Sequence, residues 1–448
     1  MAIRGDIEVP KEVELDHRTY PETEMLKERL EWFQDLKLGV IFHYGLYVQA
    51  GIVESWQLSE KDLWAREGRE FRKDFKQLQL DYWNLIKEFN PEKLQAKKWA
   101  SICKEAGFKY CIFTTKHHDG FNMYNTLETE YKVGGKQSPF KRDILKEVFE
   151  AFRKEEIATG AYYSKADWYS SFYWLDDDTI KGRHASYDTE RYPEIWQRYV
   201  SFVHNQIKEI THNYGHVDLL WLDAGWCGQK KEDLEMDRLA EIAREKQPEL
   251  IIVDRMMGGR HENYVTPERK VPELAEIPNK VWESNIPIGD DWGYVPNDRF
   301  KSSQELLETF VDVVSKGGNL ILGVGPKPDG TFTDEETKIL QEIGNWLNIY
   351  GEGIYETRSQ PKEWQNQWKL TYSKDQTIHY AFQSIRFTQE KIFLADIEAD
   401  KHHVIKDLST KKELEVYTEE DQIYILSSEL EKPAIGLIGL EILKKPQG

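Results

Sequence analysis

Residues 217–226 read VDLLWLDAGW, a mostly apolar run that ends at an aspartate and is followed by a glycine and a tryptophan. The apolar residues are continuous rather than alternating, which is typical of a strand that is buried on both faces of a parallel sheet. Asp223 comes directly after the run, where such a strand would end. The stretch therefore predicts a buried parallel strand with a carboxylate at its carboxyl end.

Six further stretches share this pattern, and amphipathic segments separate them. They are KLGVIFHYG (37–45), YCIFTTKHHDG (110–120), IATGAYYSKADW (157–168), LIIVDR (250–255), KVWESN (280–285) and NLILGVGP (319–326). Seven alternations of strand and helix, with an eighth strand hard to find, predict an α/β fold of the (β/α)8-like barrel type. A doubly wound open sheet is the alternative.

Two kinds of signal mark the ends of the intervening helices. Residues 91–107 begin with Pro91, a residue favoured in the first turn of a helix, and end at a glycine. The pairs Ser302–Glu305 and Thr333–Glu336 have the spacing of a capping box. We therefore expect a helix to begin at each of these three places.

The texture of the sequence changes after Gly353. Short runs with partial alternation follow, such as EKIFLADIEAD (390–400) and AIGLIGLEIL (434–443), and polar turns separate them. This pattern predicts an all-β domain, most simply a sandwich. We therefore predict a catalytic barrel over residues 1–353 and a C-terminal β-sandwich over residues 354–448.

Composition limits the partners and the compartment. The 448 residues include 60 basic and 79 acidic ones, a net charge of −19, which predicts that neither nucleic acid nor an anionic membrane is a partner. Three cysteines without CxxC spacing give no disulfide framework and fit a reducing compartment. Residues 1–17 contain no apolar segment of a secretory signal, so we predict a cytoplasmic location. The oligomeric state is left open, a homo-oligomer included.

Candidate site residues follow from the barrel, because the active site of such a fold forms at the carboxyl ends of its strands. The polar and aromatic residues that follow the runs are His43, Lys116, His117, His118, Asp119, Tyr163, Asp167, Trp168, Asp223, Trp226, Asp254, Arg255, Trp282 and Glu283. No glycine-rich phosphate loop accompanies them, so they suggest a neutral polyhydroxylated ligand. Asp223 is the strongest candidate; a helix N-cap is its ordinary alternative, but Trp221 and Trp226 beside it favour a sugar site.

Two of these sites have an alternative interpretation. His117 and His118 could bind a metal ion, but adjacent residues of an extended strand point to opposite faces, and no HExxH spacing accompanies them. We therefore predict no metal and no cofactor, with one histidine structural and the other bound to a ligand hydroxyl. A structural salt bridge is the ordinary alternative for Arg255.

With these residues in hand, the chain resembles the α-L-fucosidases of glycoside hydrolase family 29. The resemblance is carried by KLGVIFHYGLY (37–47), YCIFTTKHHDGFNMYNT (110–126), AYYSKADWY (161–169), VDLLWLDAGW (217–226) and VSKGGNLILGVGPKPDGTF (314–332). It implies a retaining exo-glycosidase that removes terminal α-L-fucosyl groups from a fucosylated oligosaccharide or glycoconjugate through a covalent fucosyl-enzyme. The linkage that is cleaved, and any need for a branching galactose, stay open.

The resemblance also implies roles for single residues. Asp223 matches the nucleophile, and Glu268 in the VTPE stretch best matches the acid/base, with Glu262 as the second choice. Residues expected to contact the sugar are His43, Glu54, Trp56, His117, His118, Tyr163, Trp221, Arg255 and Trp282. Trp282 is expected to pack on the methyl group of the sugar. The alternative functions are a glycosidase for another sugar, a metal-dependent hydrolase and a non-catalytic carbohydrate-binding barrel.

Overall fold

The computed structural model describes residues 21–228, 230–360, 368–397 and 399–445. Residues 1–17, on which the prediction of no secretory signal rests, lie outside this set. The helices of the described residues are α1 (Glu24–Leu36), α2 (Leu46–Ala50), α3 (Phe75–Asn84), α4 (Ala96–Glu105), α5 (Ile144–Lys154), α6 (Pro193–Asn213), α7 (Met236–Arg244), α8 (Ser303–Ser315) and α9 (Asp334–Tyr350). The strands of the first sheet are β1 (Leu38–Phe42), β2 (Tyr110–Lys116), β3 (Ala158–Ser164), β4 (Leu219–Asp223), β5 (Ile251–Asp254), β6 (Glu283–Pro287) and β7 (Asn319–Val324).

These seven strands form one parallel sheet in the order β5-β4-β3-β2-β1-β7-β6. The sheet curls into a half-barrel with β5 and β6 at its two edges, and the barrel-like prediction is confirmed. Every residue of β1, β2 and β4 is buried, as expected for strands covered on both faces.

A non-helical segment, residues 261–269, lies between the two edge strands. On one side the Asn263 amide donates to the carbonyl of Ile252 in β5 at 3.0 Å. On the other side the Arg269 amide donates to the carbonyl of Asn285 in β6 at 2.9 Å. This barrel-closing segment lies where an eighth strand would be. It is not a regular strand, and its sequence has no apolar run by which it could have been recognised.

Helix α1 fills the amino-terminal end of the barrel. Its residues Leu26, Leu30 and Phe33 belong to the buried cluster that occupies the barrel interior, and the ring of Phe33 stacks on that of Tyr264 at 4.5 Å. A packed interior at this end leaves the carboxyl end of the strands as the place where a pocket can form.

The helix-terminal signals were interpreted correctly at two of the three places. Ser302 caps α8, and Thr333 and Glu336 form a reciprocal capping box at the start of α9. The helix predicted near Pro91 begins only at Ala96, because residues 91–94 form a turn whose Lys93 amide bonds to the carbonyl of Asp329 instead.

The sixth strand lies three residues later than its sequence suggested. We expected residues 280–285 to form it, but β6 runs from Glu283 to Pro287. Trp282 therefore precedes the strand and lies at the end of the barrel opposite to the pocket described below. The error came from the apolar pair at 281–282, which looked like the middle of the strand.

The C-terminal region is all-β, as predicted. Its strands are β8 (Lys369–Tyr372), β9 (Ile378–Ser384), β10 (Lys391–Phe393), β11 (His403–Asp407), β12 (Tyr417–Glu419), β13 (Gln422–Leu426) and β14 (Leu437–Lys444). They form a four-stranded and a three-stranded antiparallel sheet around a buried cluster of their own. The boundary at residues 353/354 stays a prediction. No helix of the described ranges is both long and apolar enough to cross a membrane.

Candidate active site

A pocket that is open to solvent at its mouth lies at the carboxyl end of the barrel strands. Charged, aromatic and amide side chains line it: His43, Val53, Glu54, Trp56, Trp64, His117, His118, Trp221, Asp223, Trp226, Arg255, Glu268, Arg269, Asn285, Asp291 and Trp292. Below it the barrel is filled by packed side chains, so the pocket is closed at its inner end.

Asp223 is the last residue of β4 and is held by two side chains. Its Oδ2 accepts a hydrogen bond from the Tyr162 hydroxyl at 2.5 Å, and its Oδ1 accepts one from Nη1 of Arg255 at 2.7 Å. Burial alone would raise the pKa of this carboxyl, but the charge of Arg255 and the Tyr162 hydrogen bond outweigh it and hold the pKa below its ordinary value. Asp223 is therefore an ionised carboxylate of fixed orientation.

Arg255 links this carboxylate to a second one. Its Nη2 donates to Oε2 of Glu268 at 2.8 Å, while its Nε donates to the Thr266 hydroxyl at 3.2 Å. A guanidinium is planar and presents its donors as a rigid fork, so the three bonds fix the two carboxylates relative to each other. The side chain of Glu268 is 28% exposed, against 12% for Asp223, and is the more accessible of the pair.

The paired histidines both line the pocket, as the family resemblance implied, whereas the argument from strand alternation made one of them structural. Strand β2 ends at Lys116, so His117 and His118 lie beyond it, where the alternation of a strand no longer holds. Their ring centroids are 4.2 Å apart. Nδ1 of His117 contacts the Ser55 hydroxyl, and Nδ1 of His118 lies 2.6 Å from that of Ser164.

The protonation of these imidazoles follows from their surroundings. Burial lowers the pKa of His117 to about 4 and holds the pKa values of His43 and His118 well below their ordinary value, so all three are neutral near pH 7. The Ser164 hydroxyl already donates to the carbonyl of Ala166, so Nδ1 of His118 must donate to it. This leaves Nε2 of His118 as a hydrogen-bond acceptor, 3.9 Å from Oδ2 of Asp223.

The same group could hold a cation. His117, His118 and Asp223 each offer a ligand atom, and these atoms lie within 4.8 Å of one another. Neutral imidazoles whose other nitrogen is bound to a hydroxyl, together with a carboxylate, are suitable ligands for a metal ion such as Zn²⁺. The sequence argument against a shared ion, which placed the two rings on opposite faces, therefore does not apply to this geometry.

Glu54 and Trp56 both reach the pocket, although one residue separates them. Oε1 of Glu54 accepts hydrogen bonds from the backbone amides of Trp292 and Gly293 at 3.0 and 3.1 Å. Burial, together with the nearby charge of Asp291, raises the pKa of Glu54 to about 8. Glu54 is thus a buried carboxyl that keeps its proton at neutral pH.

Aromatic rings form much of the pocket wall. Trp56 lies edge-on to His118 at 5.0 Å and beside Trp226 at 5.7 Å. On another side Trp292 stacks on His43 at 5.2 Å. Such indole faces suit the apolar faces of a sugar ring and a methyl substituent.

Three of the residues that were given a catalytic or sugar-binding role lie outside the pocket. The Tyr163 hydroxyl donates to Gln206 of helix α6 at 2.8 Å, because neighbouring residues of β3 alternate and Tyr162 is the one that faces inward. Trp282 lies at the amino end of β6 and packs over Gly318. Glu262, the second choice for the acid/base, accepts hydrogen bonds from the backbone amides of Met256 and Gly258 and has a structural position.

The other residues that were given a role line the pocket. Six residues that were candidates by their position alone do not line it: Lys116, Asp119, Asp167, Trp168, Asp254 and Glu283. Several residues of the pocket were not foreseen. Predicted and present are His43, Glu54, Trp56, His117, His118, Trp221, Asp223, Trp226, Arg255 and Glu268. Not foreseen were Val53, Trp64, Arg269, Asn285, Asp291 and Trp292. The last two follow β6 and would have been found had the strand been placed three residues later.

Comparisons with known proteins agree with one another. A family model described as Alpha-L-fucosidase matches residues 9–352. The human plasma alpha-L-fucosidase is 27% identical over 373 residues, which cover 78% of this chain and 75% of that protein. Among solved structures, the alpha-L-fucosidase isoenzyme 1 from Paenibacillus thiaminolyticus is 26% identical with a TM-score of 0.78, over 94% of this chain and all of the other. The alpha-fucosidase from Thermotoga maritima, in complex with a mechanism based inhibitor, is 27% identical with a TM-score of 0.74, over 95% of this chain and 99% of the other.

Proposed function

The chain belongs to the α-L-fucosidase family, glycoside hydrolase family 29, and on that premise we propose that it is a retaining exo-enzyme that removes terminal α-L-fucosyl groups from oligosaccharides or glycoconjugates. The observation that carries the proposal is the pair Asp223 and Glu268, held by one guanidinium at the mouth of a pocket that is closed below. A closed inner end favours exo-action, because only a terminal sugar can enter such a pocket.

In the first step Asp223 is the nucleophile. One of its carboxylate oxygens attacks the anomeric carbon and forms an ester bond, while the bond from that carbon to the leaving oxygen breaks. Glu268 donates its proton to the leaving oxygen, so the aglycone departs as a neutral alcohol. The lowered pKa of Asp223 supports this assignment, because the nucleophile must be ionised before the sugar arrives.

In the second step the roles of the carboxyl groups reverse. Glu268, now a carboxylate, accepts a proton from water as the water oxygen attacks the anomeric carbon and the ester bond to Asp223 breaks. Two displacements at the same carbon restore the α-configuration. The greater exposure of Glu268 supports its role, because it must meet both the aglycone and the water.

Recognition of the sugar follows from the pocket wall. Neutral His118 offers Nε2 as an acceptor for a sugar hydroxyl, and protonated Glu54 offers a donor. The indole of Trp292, in place of Trp282, provides an apolar surface for the methyl group that L-fucose carries where L-galactose has a hydroxymethyl group. The mechanism based inhibitor bound by the Thermotoga maritima relative is consistent with a reaction of this type.

The test is turnover of aryl glycosides with analysis of the first product. We expect release of nitrophenol from 4-nitrophenyl α-L-fucoside, with the α-anomer of L-fucose formed first by NMR, and much slower release from the galactoside and other aryl glycosides. Initial formation of the β-anomer would show inversion, and preference for another sugar would favour the alternative glycosidase. A parallel assay with EDTA separates a metal-dependent hydrolase, which would lose activity. The cytoplasmic location and a homo-oligomeric state stay predictions.

A further inference from the structure

Asn285 is a buried amide of the pocket wall to which the proposed mechanism gives no task. It lies in the middle of β6, is 0% exposed, and faces the pocket. It pairs in parallel register with Glu268 of the barrel-closing segment, and its backbone accepts from the Arg269 amide. The side chain therefore lies beside the proposed acid/base.

The orientation of the amide group follows from one of its contacts. Nδ2 lies 3.4 Å from the carbonyl oxygen of Thr266. Because a carbonyl oxygen can only accept a hydrogen bond, the amide nitrogen of Asn285, and not its oxygen, must lie on that side. Oδ1 then points away from Thr266, and within the described ranges no protein group donates to it. Asn285 is thus held at its nitrogen and unpaired at its oxygen.

Two other buried asparagines of this barrel are satisfied at both ends. Oδ1 of Asn263 accepts from the Ile252 amide and from Arg244, while its Nδ2 donates to the Arg260 carbonyl. In Asn122 the oxygen accepts from Gln206 and the nitrogen donates to the Gly120 carbonyl. The unpaired oxygen is therefore a particular feature of the asparagine that lines the pocket.

An unpaired buried acceptor is costly, which makes a ligand donor the natural partner. The neighbouring Asp223 and Glu268 carboxylates can only accept while they are ionised, and Arg255 already donates to both of them and to Thr266. A hydroxyl group of a sugar can donate. Sites built to bond a hydroxyl discriminate strongly against analogues that lack it, since the protein group is then left unpaired.

We propose that Asn285 is a specificity-determining residue, whose amide oxygen accepts a hydrogen bond from one hydroxyl group of the bound sugar. This inference rests on the proposed function, and it adds a residue for which the motifs of the sequence gave no role. If the proposal is correct, the loss of kcat/KM caused by replacing the amide depends on which hydroxyl groups the substrate carries.

The test combines Asn285→Leu with 4-nitrophenyl α-L-fucosides that lack the 2-, 3- or 4-hydroxyl. For each deoxy substrate we compare kcat/KM with that of the parent fucoside, in wild type and variant. We expect kcat/KM of the variant to fall roughly 10- to 100-fold on the parent fucoside and on two of the deoxy substrates. On the third it should change little, because that substrate lacks the hydroxyl group that bonds to Asn285. Ser284→Ala is the matched control: Ser284 is the preceding buried residue of β6, it bonds to the Lys270 carbonyl, and it does not line the pocket.

An equal loss on all the substrates would overturn the inference. So would a loss that varies with the pKa of the leaving group instead of the hydroxyl, since Asn285 would then act through Glu268. If the variant does not fold, a crystal structure of the wild type with L-fucose decides: Oδ1 must lie about 2.8 Å from one sugar hydroxyl, and an oxygen that faces none refutes the inference. Wild type that is inactive on the parent fucoside would refute the proposed function itself, whereas active wild type with equal losses refutes only the role of Asn285.

Discussion

Asp223 and Glu268 lie on either side of the same guanidinium, yet the chain holds them in different ways. Asp223 ends a strand that is paired on both sides, and two side chains bond its carboxylate. Glu268 lies on the barrel-closing segment, bridges to β6 alone, and has Arg255 as the partner of its carboxylate. It is also more than twice as exposed.

The difference corresponds to what each group is proposed to do. A nucleophile must be ionised and aligned with one carbon atom, which a rigid strand end achieves. An acid/base must give a proton to the aglycone and take one from water, so it has to face the mouth of the pocket. The predictions below change one side of this pair, or the link between them.

The largest effect is expected at Asp223. Asp223→Gly removes the proposed nucleophile and should lower kcat on 4-nitrophenyl α-L-fucoside by about 10⁴-fold or more. Added azide should restore part of the rate, because a small anion can occupy the space of the lost carboxylate. The control is Asp218→Asn, at the amino end of the same strand, where the carboxylate pairs with Arg29. Comparable losses in both variants would indicate a structural effect.

Glu268→Ala should lower activity less than Asp223→Gly does, and the size of the loss should depend on the leaving group of the substrate. We expect roughly a 10³-fold loss of kcat/KM for an alkyl α-L-fucoside, whose leaving oxygen needs a proton, and a much smaller loss for a dinitrophenyl fucoside, which needs none. Glu262→Gln is the comparison, since Glu262 bonds to backbone amides away from the pocket. A leaving-group dependence in the Glu262 variant instead would reverse the assignment.

Arg255→Lys tests the link between the two carboxylates. Lysine keeps the positive charge but cannot bond Asp223, Glu268 and Thr266 with one rigid fork, so the carboxylates lose their fixed relation. We expect a loss of about 10- to 100-fold in kcat with a smaller change in KM. Steady-state kinetics measure it, with Arg29→Lys at the other end of the barrel as control. Unchanged kcat would mean that the guanidinium supplies charge alone.

The smallest effect concerns the stability contributed by Glu54. Its pKa is raised from 4.5 to about 8, so the folded chain keeps this proton at pH values where the unfolded chain has lost it. The free energy of unfolding should therefore fall as the pH rises from about 4.5 to 8 and level off above that. Glu54→Gln removes this slope, and its stability relative to wild type should grow by roughly 3 to 4 kcal/mol between pH 5 and 8.

Thermal unfolding across this pH range provides the measurement. Glu105→Gln, an exposed carboxyl on α4, is the control and should run parallel to wild type. A difference between Glu54→Gln and wild type that does not change with pH would show that Glu54 is ionised in the folded chain.

The same comparison shows what the sequence could and could not predict. Asp223 follows a continuous apolar run, and the run reveals both the strand and the place where it ends. Glu268 follows no such run, so only its resemblance to a family motif pointed to it. Tyr162 and Tyr163 are equally apolar neighbours, and the sequence alone did not determine which of them faces inward.

Two further differences come from long-range contacts that local pattern does not contain. The apolar pair before β6 shifted the predicted strand and concealed Trp292, whose position depends on packing against His43. The two histidines after β2 turn to the same side because their Nδ1 atoms bond to Ser55 and Ser164, which are distant in sequence. The sequence pattern therefore predicted the barrel and most of the residues that line the pocket. The direction of individual side chains could be seen only in the folded structure.

The most direct test of the account is covalent trapping of the proposed intermediate. Wild type would be incubated with 2-deoxy-2-fluoro-L-fucosyl fluoride, digested, and analysed by mass spectrometry. We predict one fluorofucosyl group per chain, on the peptide that contains Asp223, and none in Asp223→Gly. Inactivation with the label on Glu268 or another residue, or turnover of the parent fucoside without any covalent species, would contradict the assignment of Asp223 as the nucleophile.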